Sequence, residues 1–123
     1  MTVQARLNDA ENCVTIESTQ NGANVVLKVI GRMDAGNAQA FEDACKAWVS
    51  QGSKNLIIDM SELAYVSSMG LRAFVVIGKL LQEKGGTLRL SALTGLVKQV
   101  FEITRLSNAF PIHDSVDAAL ADV

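Results

Sequence analysis

Two adjacent serines, Ser67 and Ser68, carry the hydroxyl groups whose surroundings most favour chemistry. They precede Met69 and Gly70, at the point where a predicted strand gives way to a predicted helix. A hydroxyl at a helix start faces backbone N–H groups that lack partners and the positive end of the helix dipole. A phosphate placed there gains charge-assisted hydrogen bonds, so Ser68 is a candidate phosphorylation site. The competing interpretation is that Ser67 or Ser68 only caps the helix.

The residues around these serines do not favour a catalytic role. The G-x-S-x-G nucleophile elbow is absent, because Val66 directly precedes the pair. A serine–histidine–aspartate triad would require His113, the single histidine of the chain, to fold back onto Ser68. We expect instead that His113 is a surface residue on a loop.

Asp59 is a second candidate acceptor of a phosphoryl group, because it ends a predicted buried strand as the acceptor of a receiver domain does. A receiver also needs Mg²⁺, held by an acidic pair after its first strand. The first predicted strands end at 18–19 and at 31–34, and neither segment contains adjacent acidic residues. The last predicted strand, 110–112, has no lysine to bind a phosphoryl group. The sequence therefore disfavours a receiver domain.

Motifs for cofactors and metals are missing from the sequence. Neither G-x-x-x-x-G-K-[ST] nor G-x-G-x-x-G occurs, and the glycine pair at 85–86 follows a predicted helix instead of opening one. Cys13 and Cys45 have no cysteine or histidine at metal-ligand spacing, and a disulfide between them is neither required nor ruled out. We expect no catalytic residues, no metal and no cofactor, and therefore a protein that is not an enzyme.

Charge and hydropathy restrict the classes of partner. The chain of 123 residues has 11 basic and 13 acidic residues, a net charge of −2 and no basic stripe, so nucleic acid is not an expected partner. The first residues do not form a secretory signal, and the most apolar stretch, 69–81, is too short to span a bilayer. We expect a cytoplasmic protein without a membrane partner.

Hydrophobic periodicity predicts an α/β fold. Strands are predicted at 13–17, 25–30, 56–58 and 87–91, with a short extended piece at 110–112 that Pro111 favours as a sheet edge. Helices are predicted after a cap at Asn37, from about Met69 to Lys84, after a cap at Thr94, and after a cap at Asp114 or Ser115. The third of these helices carries Leu96, Val100, Phe101 and Ile103 at helical spacing.

The order of these elements predicts the architecture. Asn21-Gly22 favours an antiparallel hairpin between the first two strands. The alternation that follows favours parallel strands joined by right-handed crossovers. We therefore expect a mixed sheet of four to five strands, with the N-terminal hairpin first and parallel strands after it. About four helices should cover it mainly on one side, and residues 1–12 should form a loosely ordered arm.

The predicted second helix carries more apolar residues than one face can hold. The surplus lies near Met69, Ala73 and Val76. Either it forms a patch that binds a partner, or the helix is buried broadly in the core.

The segment from Leu56 to Arg72 resembles the central motif of STAS domains, the anti-sigma factor antagonist family. That motif has an apolar strand, Asp-Leu/Met-Ser, a short loop, Asp or Ser, a phosphorylatable serine, a variable residue and Gly-Leu. The chain offers Asp-Met-Ser at 59–61 and Ser-Ser-Met-Gly-Leu at 67–71. The stretch 31–35, Gly-Arg-Met-Asp-Ala, resembles the second signature of the family, Gly-x-Leu-Asp. The resemblance implies a single STAS domain over residues 1–123.

The resemblance also implies a partner-switching function. An unphosphorylated antagonist of this family binds an anti-sigma factor with serine kinase activity and so releases a sigma factor. Phosphorylation, here at Ser68, switches that binding off, and a cognate phosphatase resets it. Ser67 stands where the family often has Asp, which leaves the modified serine open, although Gly70 fits the register only if Ser68 is the acceptor. The partner-binding residues implied are Asp34, Ser67, Met69, Gly70 and Arg72.

A non-switching function is the alternative. STAS domains also serve as interaction subunits of signalling scaffolds and of lipid-transport ATPases. In that case a serine of the pair would persist as a helix cap without modification. Asp34 has a separate alternative interpretation, an exposed turn residue with no part in binding.

Overall fold

The computed structural model describes residues 2–6 and 14–122. The strands are β1 (Thr2–Arg6), β2 (Val14–Asn21), β3 (Asn24–Met33), β4 (Asn55–Asp59), β5 (Leu63–Val66), β6 (Thr87–Ser91) and β7 (Ile112–His113). The helices are α1 (Ala38–Ser50), α2 (Ser68–Glu83), α3 (Gly95–Ile103) and α4 (Val116–Ala121), with a short 3₁₀ turn at Leu106–Asn108.

β2 and β3 form the predicted antiparallel hairpin, in which Asn21 lies opposite Asn24. The two turn residues are Gly22 and Ala23, and Gly22 has a φ of +63°, which a residue without a Cβ adopts at no steric cost. β3 continues for 10 residues and so offers more length than one neighbouring strand can pair.

Within the described residues the strand order is β1-β2-β3-β4-β6-β7. β4 pairs in parallel with the first half of β3, and β5 pairs in parallel with its last residues, Gly31–Met33. β6 is parallel to β4, and β7 is parallel to β6. The predicted mixed sheet, with its hairpin first and parallel strands after it, is confirmed.

The sheet contains two strands beyond those predicted. Thr2–Arg6 belong to the expected loose arm, but they form β1, an edge strand antiparallel to β2. The rest of that arm, residues 7–12, lies outside the described residues. β5 escaped prediction because it has only four residues and pairs with a part of β3 that is distant in sequence.

The short extended piece near Pro111 is β7, and it lies at the edge of the sheet as predicted. The Pro111 carbonyl accepts a hydrogen bond from the Leu90 amide at 2.9 Å. Proline fits this position because it needs only an acceptor there.

Helices α1, α2 and α3 lie on the same side of the sheet and share an aromatic row. Phe74 of α2 is fully buried between Phe41 of α1 and Phe101 of α3, with ring centroids 5.1 and 5.6 Å apart. Tilted and edge-to-face pairs of this kind add about 0.5–1.5 kcal/mol each beyond their burial. The row holds α2 between its neighbours and so fixes the position of its amino end.

α4 lies against the opposite face of the sheet. Arg89 points away from the core residues Leu88 and Leu90 on either side of it, because side chains alternate along a strand. The Arg89 guanidinium donates to the carboxylate of Asp122 at the end of α4, with Nε and Oδ2 3.3 Å apart. With three helices on one face and a short one on the other, the predicted layering is confirmed.

Candidate functional site

The carboxyl ends of β3 and β5 bring the two sequence motifs together. The Ser67 amide donates to the Met33 carbonyl at 2.8 Å, directly beyond the last paired residues of the two strands. Carboxyl ends of parallel strands meet at the same edge of a sheet. The loop that begins at Asp34 therefore lies beside the amino end of α2, where Ser68 begins the helix.

The two serines have different positions in the helix start. Ser67 is the N-cap, with extended backbone angles, and its Oγ accepts a hydrogen bond from the Gly70 amide at 3.2 Å. Ser68 is the first helical residue, and it is exposed. The capping role that the sequence left open between them thus belongs to Ser67, so the Ser68 hydroxyl is not needed to hold the helix.

The cap at Ser67 provides a hydrogen-bond acceptor for only one of the free backbone N–H groups at the start of α2. Within residues 14–122, no backbone or side-chain oxygen accepts from the amides of Ser68 and Met69. These N–H groups carry the positive partial charge of the helix dipole. An anion attached to Ser68 would lie next to them.

Gly70 lets α2 approach the strand ends closely. A Cβ at this position would lie 2.7 Å from Val66 Cγ2 and 3.0 Å from Met33 Sδ, both inside normal contact distance. Gly70 is buried, so it acts by allowing this packing. Its implied part in partner binding stays a prediction.

The loop after β3 is held by reciprocal hydrogen bonds between two side chains and the backbone. Asp34 Oδ1 accepts from the amides of Gly36 at 2.8 Å and Asn37 at 3.1 Å. Asn37 Oδ1 accepts from the Asp34 amide at 3.0 Å, and its Nδ2 donates to the Arg32 carbonyl at 2.9 Å. Asp34 is partly exposed, and these bonds hold its carboxylate against the loop backbone.

Two of the predicted helix caps make no side-chain cap bond. Asn37 stands at the N-cap position of α1, but its side chain bonds to the preceding loop and makes no cap bond. Thr94 stands at the N-cap of α3 and likewise makes no side-chain cap bond. The cap of α4 is Ser115, whose side chain accepts from the Ala118 amide, so Ser115 is the cap of the predicted pair.

Charged side chains surround the helix start. The Arg32 guanidinium lies 4.5 Å from the centre of the Tyr65 ring, within the range of a cation–π contact. Arg72 is exposed one turn after Ser68, and no acidic side chain pairs with it in the described part of the chain. Residues four apart are neighbours on a helix surface. Arg72 can therefore reach an anion at Ser68 or an acidic group of a partner.

An exposed ion pair joins β3 to the turn that precedes β5. Lys28 and Glu62 are in contact, and the hydrogen bond to Glu62 together with its charge raises the pKa of Lys28. Asp59 Oδ1 accepts from the Ser61 amide at 3.0 Å, which fixes the turn between β4 and β5. The Asp59 carboxylate, which a receiver domain would use as phosphoryl acceptor, is here bonded to the backbone of its own turn.

The apolar surplus of α2 divides between surface and core. Met69 is 41% exposed, whereas Ala73 is 1% exposed and packs in the core. Val76 is half-buried. Of the patch suggested by the sequence, Met69 fits and Ala73 does not, because Ala73 follows Gly70 by three residues and shares its inward face.

The histidine and the cysteines lie away from this arrangement. His113 belongs to β7 and not to a loop, and its Nε2 is 3.4 Å from Asp122 Oδ2 on the α4 side of the sheet. Cys45 is buried in α1, and burial raises the pKa of its thiol. Cys13 lies outside the described residues. In the described part of the chain, no group of three or more histidine, cysteine or acidic side chains could hold a metal ion.

Among the helices that the structure describes, none combines the length and apolarity needed to cross a membrane.

Comparison with known sequences gives a consistent set of relatives. A family model described as the STAS domain matches residues 15–119. BtrV of Bordetella bronchiseptica, which carries the name of an anti-sigma factor antagonist, is 35% identical over 91 residues. That match covers 74% of this chain and 78% of BtrV.

Solved structures with the same fold include proteins named anti-sigma factor antagonists. The one from Mycobacterium paratuberculosis has a TM-score of 0.83 at 26% identity, covering 94% of this chain and 98% of its own. SpoIIAA in its unphosphorylated form has a TM-score of 0.75 at 17% identity, covering 85% and 92% of the two chains. Its phosphorylated form, from Bacillus, has a TM-score of 0.70 at 16% identity, covering 87% and 97%. These two likenesses are of fold.

Proposed function

Since the chain belongs to the STAS-domain family of anti-sigma factor antagonists, we propose that its unphosphorylated form binds an anti-sigma factor with serine kinase activity, and that phosphorylation of Ser68 ends this binding. The bound anti-sigma factor releases its sigma factor, so the chain regulates transcription. It is then a substrate of the kinase and of a cognate phosphatase, with no catalysis of its own.

The position of Ser68 carries this proposal. Its side chain is exposed on the first turn of α2, while the neighbouring Ser67 makes the cap bond. A kinase can therefore reach the Ser68 hydroxyl without opening the helix. SpoIIAA, with the same fold, has been solved in a phosphorylated form, which supports the view that this fold tolerates the modification.

The direction of the switch follows from two opposing energies. A phosphate at an exposed helix start gains about 0.3–1 kcal/mol from the dipole. A dianion forced without a partner into a dry interface costs several kcal/mol, because its hydration is lost. The second effect is larger, so phosphorylation should leave the fold intact and break the complex.

The remaining site residues fall into two groups in this proposal. Asp34, Met69 and Arg72 have at least part of their side chains at the surface and contact the anti-sigma factor. Ser67 and Gly70 contribute mainly by holding the start of α2 in place.

The test of the modification site is mass spectrometry. Each purified serine-kinase anti-sigma factor encoded in the source genome is incubated with the protein and ATP, and intact mass and the modified residue are determined. We expect a gain of one phosphate on the wild type and on Ser67→Ala, and none on Ser68→Ala. A phosphate on Ser67 or elsewhere would contradict the proposal.

The test of the switch is a binding titration with the same anti-sigma factor. Ser68→Glu should weaken binding, while Ser68→Ala should keep it. Ser50→Glu is the matched control, because Ser50 is also exposed and lies at the far end of α1. Equal binding of Ser68→Glu and wild type would refute the switch.

A further inference from the structure

The exposed large apolar side chains of the described residues concentrate near two helices. Leu96 of α3 is 54% exposed and Ile103 is 80% exposed, while Met69 at the start of α2 is 41% exposed. Leu96 and Ile103 are seven residues apart, which places them two turns apart on the same face of α3. We call Leu96 and Ile103 the α3 stripe.

The α3 stripe lies on the flank of the helix that faces away from β7. Val97 and Phe101 point into the core. Lys98 and Glu102 line a cavity of about 360 Å³ whose opposite wall is formed by residues 112–114 of β7 and its loop. By helical rotation, Leu96 and Ile103 project from the flank opposite that cavity.

α3 is a close neighbour of the segment that leads into the proposed switch. α3 packs against β5, and the last residue of β5, Val66, directly precedes Ser67. Phe101 of α3 also stacks against Phe74 of α2, so the two helices are neighbours. α3 therefore borders the surface on which Ser68 and Met69 lie, and its stripe is exposed next to that surface.

A stable interface needs more apolar surface than the residues next to Ser68 provide. A specific interface buries about 800 Å² on each partner, roughly a patch of 16 Å radius, and it has an apolar core. Around Ser68 itself, Met69 is the one large apolar side chain that the described residues expose. α3, about 14 Å long, adjoins that patch and supplies two more.

We propose that Leu96 and Ile103, together with Met69, form the apolar core of the surface that binds the anti-sigma factor. This inference rests on the proposed function, because it takes the kinase that modifies Ser68 as the occupant. A kinase whose active site reaches Ser68 must cover the surroundings of Ser68, and these include α3. The polar rim of this surface is then formed by Lys98 and Glu102 on the cavity side of α3 and by Arg105 just after its end.

The experiment compares Leu96→Ser and Ile103→Ser with Ile112→Ser. Ile112 is the matched control, since it is 37% exposed but lies on β7, on the far side of the cavity from α3. The probe is the purified anti-sigma factor that phosphorylates the wild type, and unphosphorylated protein is titrated with it. Each stripe variant should bind at least tenfold more weakly, and the control within about twofold of wild type, with all melting temperatures close together.

The outcomes separate this inference from the proposed function. If Ser68→Glu loses binding but both stripe variants bind within twofold of wild type, the α3 stripe is not part of the surface and only this inference fails. If no such anti-sigma factor binds or phosphorylates the wild type, both proposals fail. If light scattering shows a dimer that Ile103→Ser dissociates, the occupant is a second copy of the chain, which overturns the inference.

Discussion

Replacing Ser67 by alanine should lower the stability of the protein but not its phosphorylation, whereas replacing Ser68 should abolish phosphorylation but leave stability unchanged. Ser67→Ala removes the Oγ that accepts from the Gly70 amide, whereas Ser68→Ala removes a hydroxyl that makes no cap bond. Ser67→Ala should therefore destabilise the protein and still accept phosphate on Ser68. Ser68→Ala should remain stable and accept none.

The expected magnitudes follow from the geometry of the cap. Loss of a serine N-cap costs about 1 kcal/mol. Ser68 is exposed, and surface substitutions away from special contacts stay within about 0.5 kcal/mol. Alanine also has the better helix propensity, which favours Ser68→Ala slightly. The two variants should differ by about 1 kcal/mol, which is roughly 4 °C in melting temperature for a domain of this size.

The assay is equilibrium unfolding in urea, with the slope m checked for constancy so that the midpoint reports stability. Ser50→Ala, at an exposed serine that is the last residue of α1, serves as the control for the substitution itself. If Ser68→Ala lowers the midpoint more than Ser67→Ala does, the assignment of the cap to Ser67 is wrong, and phosphorylation of Ser68 would then disturb the helix itself.

Three further predictions concern neighbouring groups. Gly70→Ala should lower the free energy of unfolding by about 1–3 kcal/mol, because its Cβ would lie 2.7 Å from Val66 Cγ2; a urea midpoint at or above wild type would contradict this. Arg72→Gln should raise the second pKa of phosphoserine at Ser68, seen by ³¹P NMR titration, because a nearby cation favours the dianion; an unchanged titration would exclude the pairing. Burial raises the pKa of Cys45, so the unfolded thiol ionises before the folded one. The contribution of Cys45 to the free energy of unfolding should be complete below the ordinary thiol pKa of about 8.5 and should decline at higher pH. Urea midpoints at pH 7 and 9.5, compared with Cys45→Ala, test this, and equal pH dependence in both proteins would count against it.

Elements that depend on local patterns could be predicted closely. The helix expected from Met69 to Lys84 runs from Ser68 to Glu83. Its periodicity, the serine cap and the glycines that follow are all contained in the segment itself. The hairpin turn at Gly22 was predictable for the same reason, since positive φ is a property of the residue.

Features that depend on distant parts of the chain could not be predicted. β5 exists because β3 outruns β4 and leaves its end available for pairing. Asn37 was predicted as a cap, but the Arg32 carbonyl and the Asp34 amide compete for its side chain. Neither the length of a pairing partner nor such a competition is encoded in a window of neighbouring residues.

In the candidate site, too, local features could be predicted and features that depend on packing could not. Ser67 and Ser68 were found as a pair, but only the bond to the Gly70 amide assigns the cap to Ser67. Leu96 and Ile103 were expected on the same apolar face of α3 as Phe101, yet they are exposed, and Val97 takes the inward position. Spacing indicates that a helix has apolar residues, whereas the direction of its core face follows from what it packs against.

The separation of cap and acceptor bears on how a switch of this kind can work. If one serine did both tasks, adding a phosphate would alter the bond that starts α2, and binding would change together with the fold. With the cap on Ser67 and the close packing at Gly70, the helix start keeps its bonds when Ser68 changes charge. The signal is then the charge alone, which costs several kcal/mol in a dry interface but stabilises the isolated protein by about 0.3–1 kcal/mol. A fold insensitive to the modification can pass repeatedly between kinase and phosphatase.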